Sequence, residues 1–160
     1  MTNVPEQSGD SAFKSALKQA SNDLTRLGRI MHNYNGGMYT FPQACGGVSQ
    51  NLREDAKKVE ESRTLGKDDA PDFKLLFQDL GTTSKALQNE FAIKKNTIQA
   101  NSNCKVTRDA MMLLLTCTDR LVEAIVKVTD PEVQGLVKVY AEDYTNNLKA
   151  ALHELNGLKD

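Results

Sequence analysis

Few side chains in this sequence are arranged for catalysis or for metal binding. His32 and His153 are the two histidines; neither has a second ligand at metal-binding spacing, and His153 is not part of an HExxH motif. No Gly-x-Ser-x-Gly, P-loop or GxGxxG motif occurs. Adjacent acids at 60–61 and 68–69 are typical of a solvated surface, and the carboxylate set of a di-iron bundle is missing. The sequence therefore favours a protein that is not an enzyme and needs no metal or other cofactor.

The cysteines suit neither a disulfide framework nor a zinc site. Cys45, Cys104 and Cys117 are odd in number, and no CxxC pair occurs. If one helix carries Cys104 and Cys117, they lie roughly 20 Å apart, which is too far for a bridge. Cys45 could pair with either of them if packing allows. Three buried thiols that pack as small apolar side chains are the favoured prediction.

Charge and hydropathy restrict the class of partner. The 20 basic and 21 acidic residues are interspersed and leave a net charge of −1, which disfavours nucleic acid. No apolar run approaches the roughly 18 residues of a transmembrane span. Residues 1–10 are polar and lack the apolar segment of a signal peptide. Two compartments stay open: the cytosol, or a secreted or cell-wall location after removal of a leader.

Any site must be positioned by five amphipathic segments. Apolar residues recur at alternating spacings of three and four at about 11–34, 40–65, 71–100 and 105–128, and from Asp130-Pro131 to about Leu155. Gly36-Gly37 ends the first segment, and prolines lie in first turns. The short loops between the segments imply antiparallel neighbours. We predict an all-α, up-and-down bundle of about five amphipathic helices over residues 11–158, after a disordered tail at 1–10.

Short motifs in the same order as these helices carry a resemblance to a known family. An Asp-Leu pair precedes a Tyr-x-Gly-Gly that closes the first helix, and a leucine precedes a Lys-Lys pair in the third. In this chain they are Asp23-Leu24, Tyr34-Asn35-Gly36-Gly37, Leu87, Ile93-Lys94-Lys95 and, in the fourth helix, Thr118-Asp119-Arg120-Leu121. Over residues 15–152 the sequence resembles the fungal hydrophobic surface-binding protein A family, with its cell-wall galactomannoprotein antigens.

The resemblance implies a secreted or wall-associated helical domain. It implies adsorption to hydrophobic surfaces and binding of long-chain fatty acids in a cavity between helices. A helix of about 24 residues is roughly 36 Å long, so an acyl chain fits lengthwise in such a bundle. A cavity of roughly 300–1,000 Å³ with a few polar groups at one end would be needed.

The residues that would line this cavity are those at the centre of the apolar stripes. They are Leu80, Ser84, Leu87, Phe91, Leu114, Thr118, Leu121, Tyr140, Tyr144 and Leu148. Ser84, Thr118 or a tyrosine hydroxyl could hold the carboxylate. The alternative interpretation is an ordinary core in which these side chains pack on one another. In that case Ser84 bonds back to the carbonyl one turn earlier.

Three functional hypotheses remain at this point. The first is a carrier that binds a long-chain fatty acid or similar lipid in an internal cavity. The second is a protein whose helices open to adsorb on a hydrophobic surface. The third is a plain helical module that binds another protein.

Overall fold

A computed structural model describes the backbone of residues 4–160 and the side chains of residues 12–160. Within that range the α-helices are α1 (Val4–Asn33), α2 (Phe41–Glu60), α3 (Ala70–Ala100), α4 (Cys104–Val128) and α5 (Pro131–His153), with a 3-10 turn at Lys67–Asp69. The predicted all-α class is confirmed. The disordered tail stays a prediction, because residues 1–3 lie outside the described residues and residues 4–11 are described as backbone only.

Local chemistry explains where several helices begin and end. Asp130 is the N-cap of α5, and Pro131 is its first residue. The backbone N–H at that position makes no intrahelical hydrogen bond, so proline, which lacks the N–H, loses none there. Beyond α1, Gly36 has a φ of +97°, and a Cβ there would also lie 3.1 Å from the side-chain amide of Asn101. The positive φ favours glycine at that turn, and the close approach of Asn101 disfavours a larger residue further.

Helix α2 ends at Glu60, whereas the sequence pattern predicts helix as far as Leu65. The chain turns at residues 61–62 instead, and Leu65 pairs with the segment that joins α4 to α5. Its N–H donates to the Val128 carbonyl at 2.8 Å, and its carbonyl accepts the Asp130 N–H at 2.8 Å. The Leu65 side chain is fully buried. A long-range contact therefore replaces the last turn of the predicted helix.

The helices form two layers. Helices α1, α3 and α5 make the three-helix layer, with α3 in the middle, and α2 and α4 make the two-helix layer. Each short loop reverses the chain, so the helices of one layer run opposite to those of the other, which confirms the up-and-down arrangement. Sequence neighbours pack antiparallel at α1–α2 and α4–α5, but α3 makes little contact with α2 or α4. The broadest contacts join parallel helices within a layer.

One hydrophobic core fills the space between the layers. At the lower end, where the α2–α3 and α4–α5 loops lie, the rings of Phe13 and Phe73 pack with centroids 4.9 Å apart. At the upper end, Phe41 and Phe91 meet edge to face at 5.3 Å. The second pair connects α2 with α3 and therefore crosses between the layers.

Candidate functional site

The structure gathers most of the predicted site residues in the core between the layers. Nine of the ten are buried there: Leu80, Ser84, Leu87, Phe91, Leu114, Thr118, Leu121, Tyr144 and Leu148. The apolar members pack on one another in this conformation. Tyr140 differs, since it is partly buried and borders an open groove of about 1070 Å³ between α3 and α5.

Ser84 is held by hydrogen bonds within its own layer. Its hydroxyl lies 2.6 Å from the Leu80 carbonyl, which is the back-bond that the sequence analysis offers as one interpretation. Its oxygen also accepts a bond at 3.1 Å from the side-chain amide of Asn147, which donates to the Gly81 carbonyl as well. Because the only proton of the Ser84 hydroxyl is already engaged, it is a poor donor to a carboxylate.

Thr118 and Tyr144 place two hydroxyls together in the apolar core. Their oxygens lie 3.4 Å apart, and both side chains are almost completely buried. Burial raises the pKa of Tyr144 to about 12, although the hydrogen bond with Thr118 acts in the opposite direction. The charges of Asp119 and Asp23 act in the same direction as burial. The phenol therefore keeps its proton at neutral pH and can donate a hydrogen bond. The pair has two protons and a single mutual contact, so one proton is available to an incoming acceptor.

Ser49 is a core hydroxyl that the sequence analysis does not single out. It is fully buried on α2, and its Oγ has no hydrogen-bond partner among the described residues. Tyr39 meets Thr107 at the upper end of the two-helix layer, and Glu60 meets Lys127 at the lower end. These two contacts define the register of α2 against α4. That register places Ser49 beside residues 116 and 117 of α4, within one turn of Thr118.

The sequence contains a signal for Ser49. It follows Cys45 by four positions and precedes Leu52 by three, so it occupies the apolar stripe of α2 just as Ser84 occupies that of α3. We refer to Ser49, Thr118 and Tyr144 as the core hydroxyls. They come from helices of both layers and lie at a similar height in the bundle.

Replacing Ser49 by Ala is expected to raise the free energy of unfolding by about 1 kcal/mol, because a buried hydroxyl without a partner is removed. Ser84→Ala is the matched control. It should lower the free energy of unfolding by about 1 kcal/mol, since Asn147 loses its acceptor. Urea denaturation of both variants measures the difference. An equal loss in the two would mean that the Ser49 hydroxyl is satisfied in the folded protein.

The upper end of the core is closed by polar contacts. The Tyr39 and Thr107 hydroxyls lie 2.6 Å apart, and the Asn103 amide donates to the Tyr34 hydroxyl at 2.9 Å. Lys94 donates to the Tyr34 carbonyl at 2.6 Å, which ties the start of the α1–α2 loop to α3. Burial raises the pKa of Tyr39, so it too stays protonated. A ligand that reaches the core from this end must displace these bonds.

The cysteines are free and buried, as the favoured prediction states. Burial raises the pKa of the Cys45 thiol to about 12 and also raises the pKa of Cys104. Protonated thiols are poor nucleophiles and poor metal ligands. Over the described part of the chain, no group of three or more His, Cys, Asp or Glu side chains is placed to hold a metal ion.

No helix in the described range is both long enough and apolar enough to cross a membrane.

Known proteins share this sequence pattern and this fold. The profile of the family described as hydrophobic surface binding protein A matches residues 11–127. Ligand binding domain 2 of the Penicillium marneffei MP1 protein, complexed with multiple arachidonic acids, superposes with a TM-score of 0.84 at 12% identity, covering 92% of this chain and 96% of that one. AFMP4P in complex with palmitic acid gives 0.82 at 11% identity, covering 92% and 99%. No curated protein matches the sequence.

A second domain of the same Penicillium marneffei protein has the same fold. Its ligand binding domain 1, complexed with arachidonic acids, superposes with a TM-score of 0.84 at 11% identity, covering 92% of this chain and 99% of that chain. At this level of identity the likeness to the solved structures concerns the fold alone.

Proposed function

Because the chain belongs to the hydrophobic surface binding protein A family, we propose that it binds a long-chain fatty acid, or a similar apolar ligand, between its two helix layers. The proposed function is binding without catalysis, and it includes the secreted or cell-wall location that the sequence resemblance implies. The single observation that carries the proposal is the placement of the core hydroxyls. They supply hydrogen-bond donors at one level of a core that is mostly apolar.

The chemistry of this level suits a carboxylate. A buried carboxylate needs donors, and hydrogen bonds to an ionised acceptor are about twice as strong as neutral ones. The Thr118–Tyr144 pair has one proton to give, and Ser49 has its proton unengaged. The acyl chain would then lie along leucines such as Leu87, Leu114 and Leu121. Ser84 lines the proposed binding site but does not hold the carboxylate, because its hydroxyl already donates to the Leu80 carbonyl.

The architecture suits a ligand that separates the layers. Contacts between layers are concentrated along α1–α2 and α4–α5, while α3 makes little contact with the two-helix layer. Movement at α3 would open space beside Leu87 and Phe91 without breaking a helix. The apolar surface exposed by that movement would be covered again by the acyl chain, so the free-energy cost of opening is offset by the ligand. The fatty-acid complexes formed by proteins of this fold support the same conclusion.

Adsorption to hydrophobic surfaces is the second candidate, because the family description names it. Among the described residues, the most exposed large apolar side chains are Met38, Ile93, Leu75 and Val139, which come from α3, α5 and the α1–α2 loop. Scattered single side chains do not make an adsorbing patch. Adsorption would therefore need the layers to open and present the core. It predicts retained helical circular dichroism with loss of near-ultraviolet signal on hydrophobic beads.

Native mass spectrometry with added palmitate tests the carrier function. Wild-type protein is expected to bind palmitate stoichiometrically, and Leu121→Trp, which fills the space beside the core hydroxyls, to reduce binding about tenfold or more. Leu75→Trp is the matched control, since Leu75 is 62% exposed, and it should bind as wild type does. Charge states in the same spectra report whether each variant is folded. No palmitate adduct on folded wild-type protein would refute the carrier function.

A further inference from the structure

The outward face of the two-helix layer carries a groove with excess positive charge. This basic groove is open to solvent, has a volume of about 470 Å³, and runs between α2 and α4. The local charge of its lining is +2, whereas the net charge of the chain is −1. The charged lining residues are the cations Arg53, Lys57, Arg120 and Lys127 and the carboxylates Glu60 and Glu123. By contrast, the groove between α3 and α5 is lined by two lysines and two aspartates, whose charges cancel. The groove between α4 and α5 is lined by more acidic residues than lysines.

Most of this positive charge has no carboxylate in direct contact. Lys127 pairs with Glu60 at 3.7 Å. Arg53 donates to the neutral side-chain amide oxygen of Gln50 at 2.9 Å. Neither Lys57 nor Arg120 forms an ion pair with any described residue. Lys57, Arg120 and the remaining N–H groups of Arg53 therefore face the groove and are available to an external anion.

The same face becomes apolar towards its upper end. Leu113, Arg120 and Lys127 are seven positions apart and lie on one side of α4. Leu113 is 40% exposed and the adjacent Met112 is 56% exposed. The register of the two-helix layer sets Gly46 of α2 beside Leu113, and both Gly46 and Gly47 leave open space where a side chain would stand. Apolar and cationic parts are thus about 10 Å apart on one continuous surface.

We propose that this α2–α4 face docks the protein onto the headgroup surface of an anionic phospholipid bilayer. The guanidinium groups of Arg53 and Arg120 bind lipid phosphates, for which the planar fork of arginine is suited, and Lys57 adds to the attraction. Met112 and Leu113 insert shallowly among the first methylene groups, and the missing side chains at Gly46 remove an obstacle to that approach. The inference goes beyond the proposed function and does not depend on it, because no residue of the core takes part.

Vesicle co-sedimentation of the full chain tests this proposal. The expected result is binding to vesicles of phosphatidylcholine with about 30% phosphatidylglycerol but not to pure phosphatidylcholine, at a low salt concentration where the Debye length is about 30 Å. The double variant Arg53→Gln/Arg120→Gln should lower the partition coefficient about tenfold or more. Lys74→Gln/Lys85→Gln, which removes the same charge from the α3–α5 groove, should stay within about twofold of wild type. Met112→Ser should weaken the binding that persists at about 0.15 M salt.

Three outcomes would overturn the proposal. Equal binding to pure phosphatidylcholine would remove the role of the basic groove, and equal loss in the two double variants would make the effect one of net charge. If inorganic phosphate occupied the site at Arg53 or Arg120 and the protein did not bind vesicles, the groove would be assigned to a free anion. Palmitate binding by Arg53→Gln/Arg120→Gln is expected to match wild type. Vesicle docking by a chain that binds no palmitate would refute the carrier function alone.

Discussion

Replacing Tyr144 by Phe is expected to weaken palmitate binding by about ten- to a hundredfold. The ring, which is almost fully buried, keeps its packing, so the variant removes one hydroxyl from the Thr118–Tyr144 pair. A hydrogen bond to a charged group contributes about 1.5–3 kcal/mol, and each 1.4 kcal/mol is a factor of ten in affinity. Because burial holds the pKa of Tyr144 at about 12, the donor is present throughout the neutral range, and the loss should not vary with pH there.

The methyl ester of palmitic acid separates anchoring from packing. It has the same acyl chain without the negative charge, so Tyr144→Phe should change its affinity by only a few-fold. Tyr140→Phe is the matched control, since Tyr140 borders the outer groove between α3 and α5, and it should leave both affinities near wild type. Competition against a fluorescent fatty acid measures the affinities of wild type and of both variants for the acid and for the ester. If Tyr144→Phe weakens acid and ester equally, the phenol is a wall and the carboxylate lies elsewhere.

The sequence predicts those parts of the fold that local chemistry controls. The starts of α3, α4 and α5 are predicted within one residue, because Pro71 and Pro131 require first-turn positions and the polar break at residues 101–103 interrupts an apolar stripe. The same periodicity identifies the buried faces, so nine of the ten predicted site residues lie in the core. A stripe specifies which face of a helix is buried, and it does so without knowledge of the partner helix.

Features that depend on long-range partners could not be predicted in this way. Helix α2 ends early because Leu65 bonds to the α4–α5 loop, and no signal near Leu65 in the chain announces that contact. The role of Asn147 as the partner of Ser84 requires knowing that α3 and α5 pack side by side. Tyr140 and Tyr144 are one turn apart on α5, and periodicity gives them nearly equivalent positions. The choice of Tyr144 as the anchor comes from its contact with Thr118 on another helix.

The contact between Phe41 and Phe91 has a special place in the fold, because it joins α2 to α3 where the two layers otherwise make little contact. Both rings are completely buried. Phe41 also lies 6.3 Å from the ring of Tyr39, whose hydroxyl closes the upper end through Thr107. Removing the Phe91 ring would therefore create a cavity at the boundary between the layers and loosen the closure of the upper end.

Phe91→Ala is expected to lower the free energy of unfolding by about 3–5 kcal/mol, the usual cost of removing a buried phenyl ring. Out of a total stability of about 5–15 kcal/mol, this is a large share. Urea denaturation measures it, and Leu75→Ala on the exposed side of α3 should stay within about 0.5 kcal/mol of wild type. If the core is where fatty acid binds, saturating palmitate should restore part of the loss, because the acyl chain fills the new cavity. Equal destabilisation with and without palmitate would place the ligand away from Phe91.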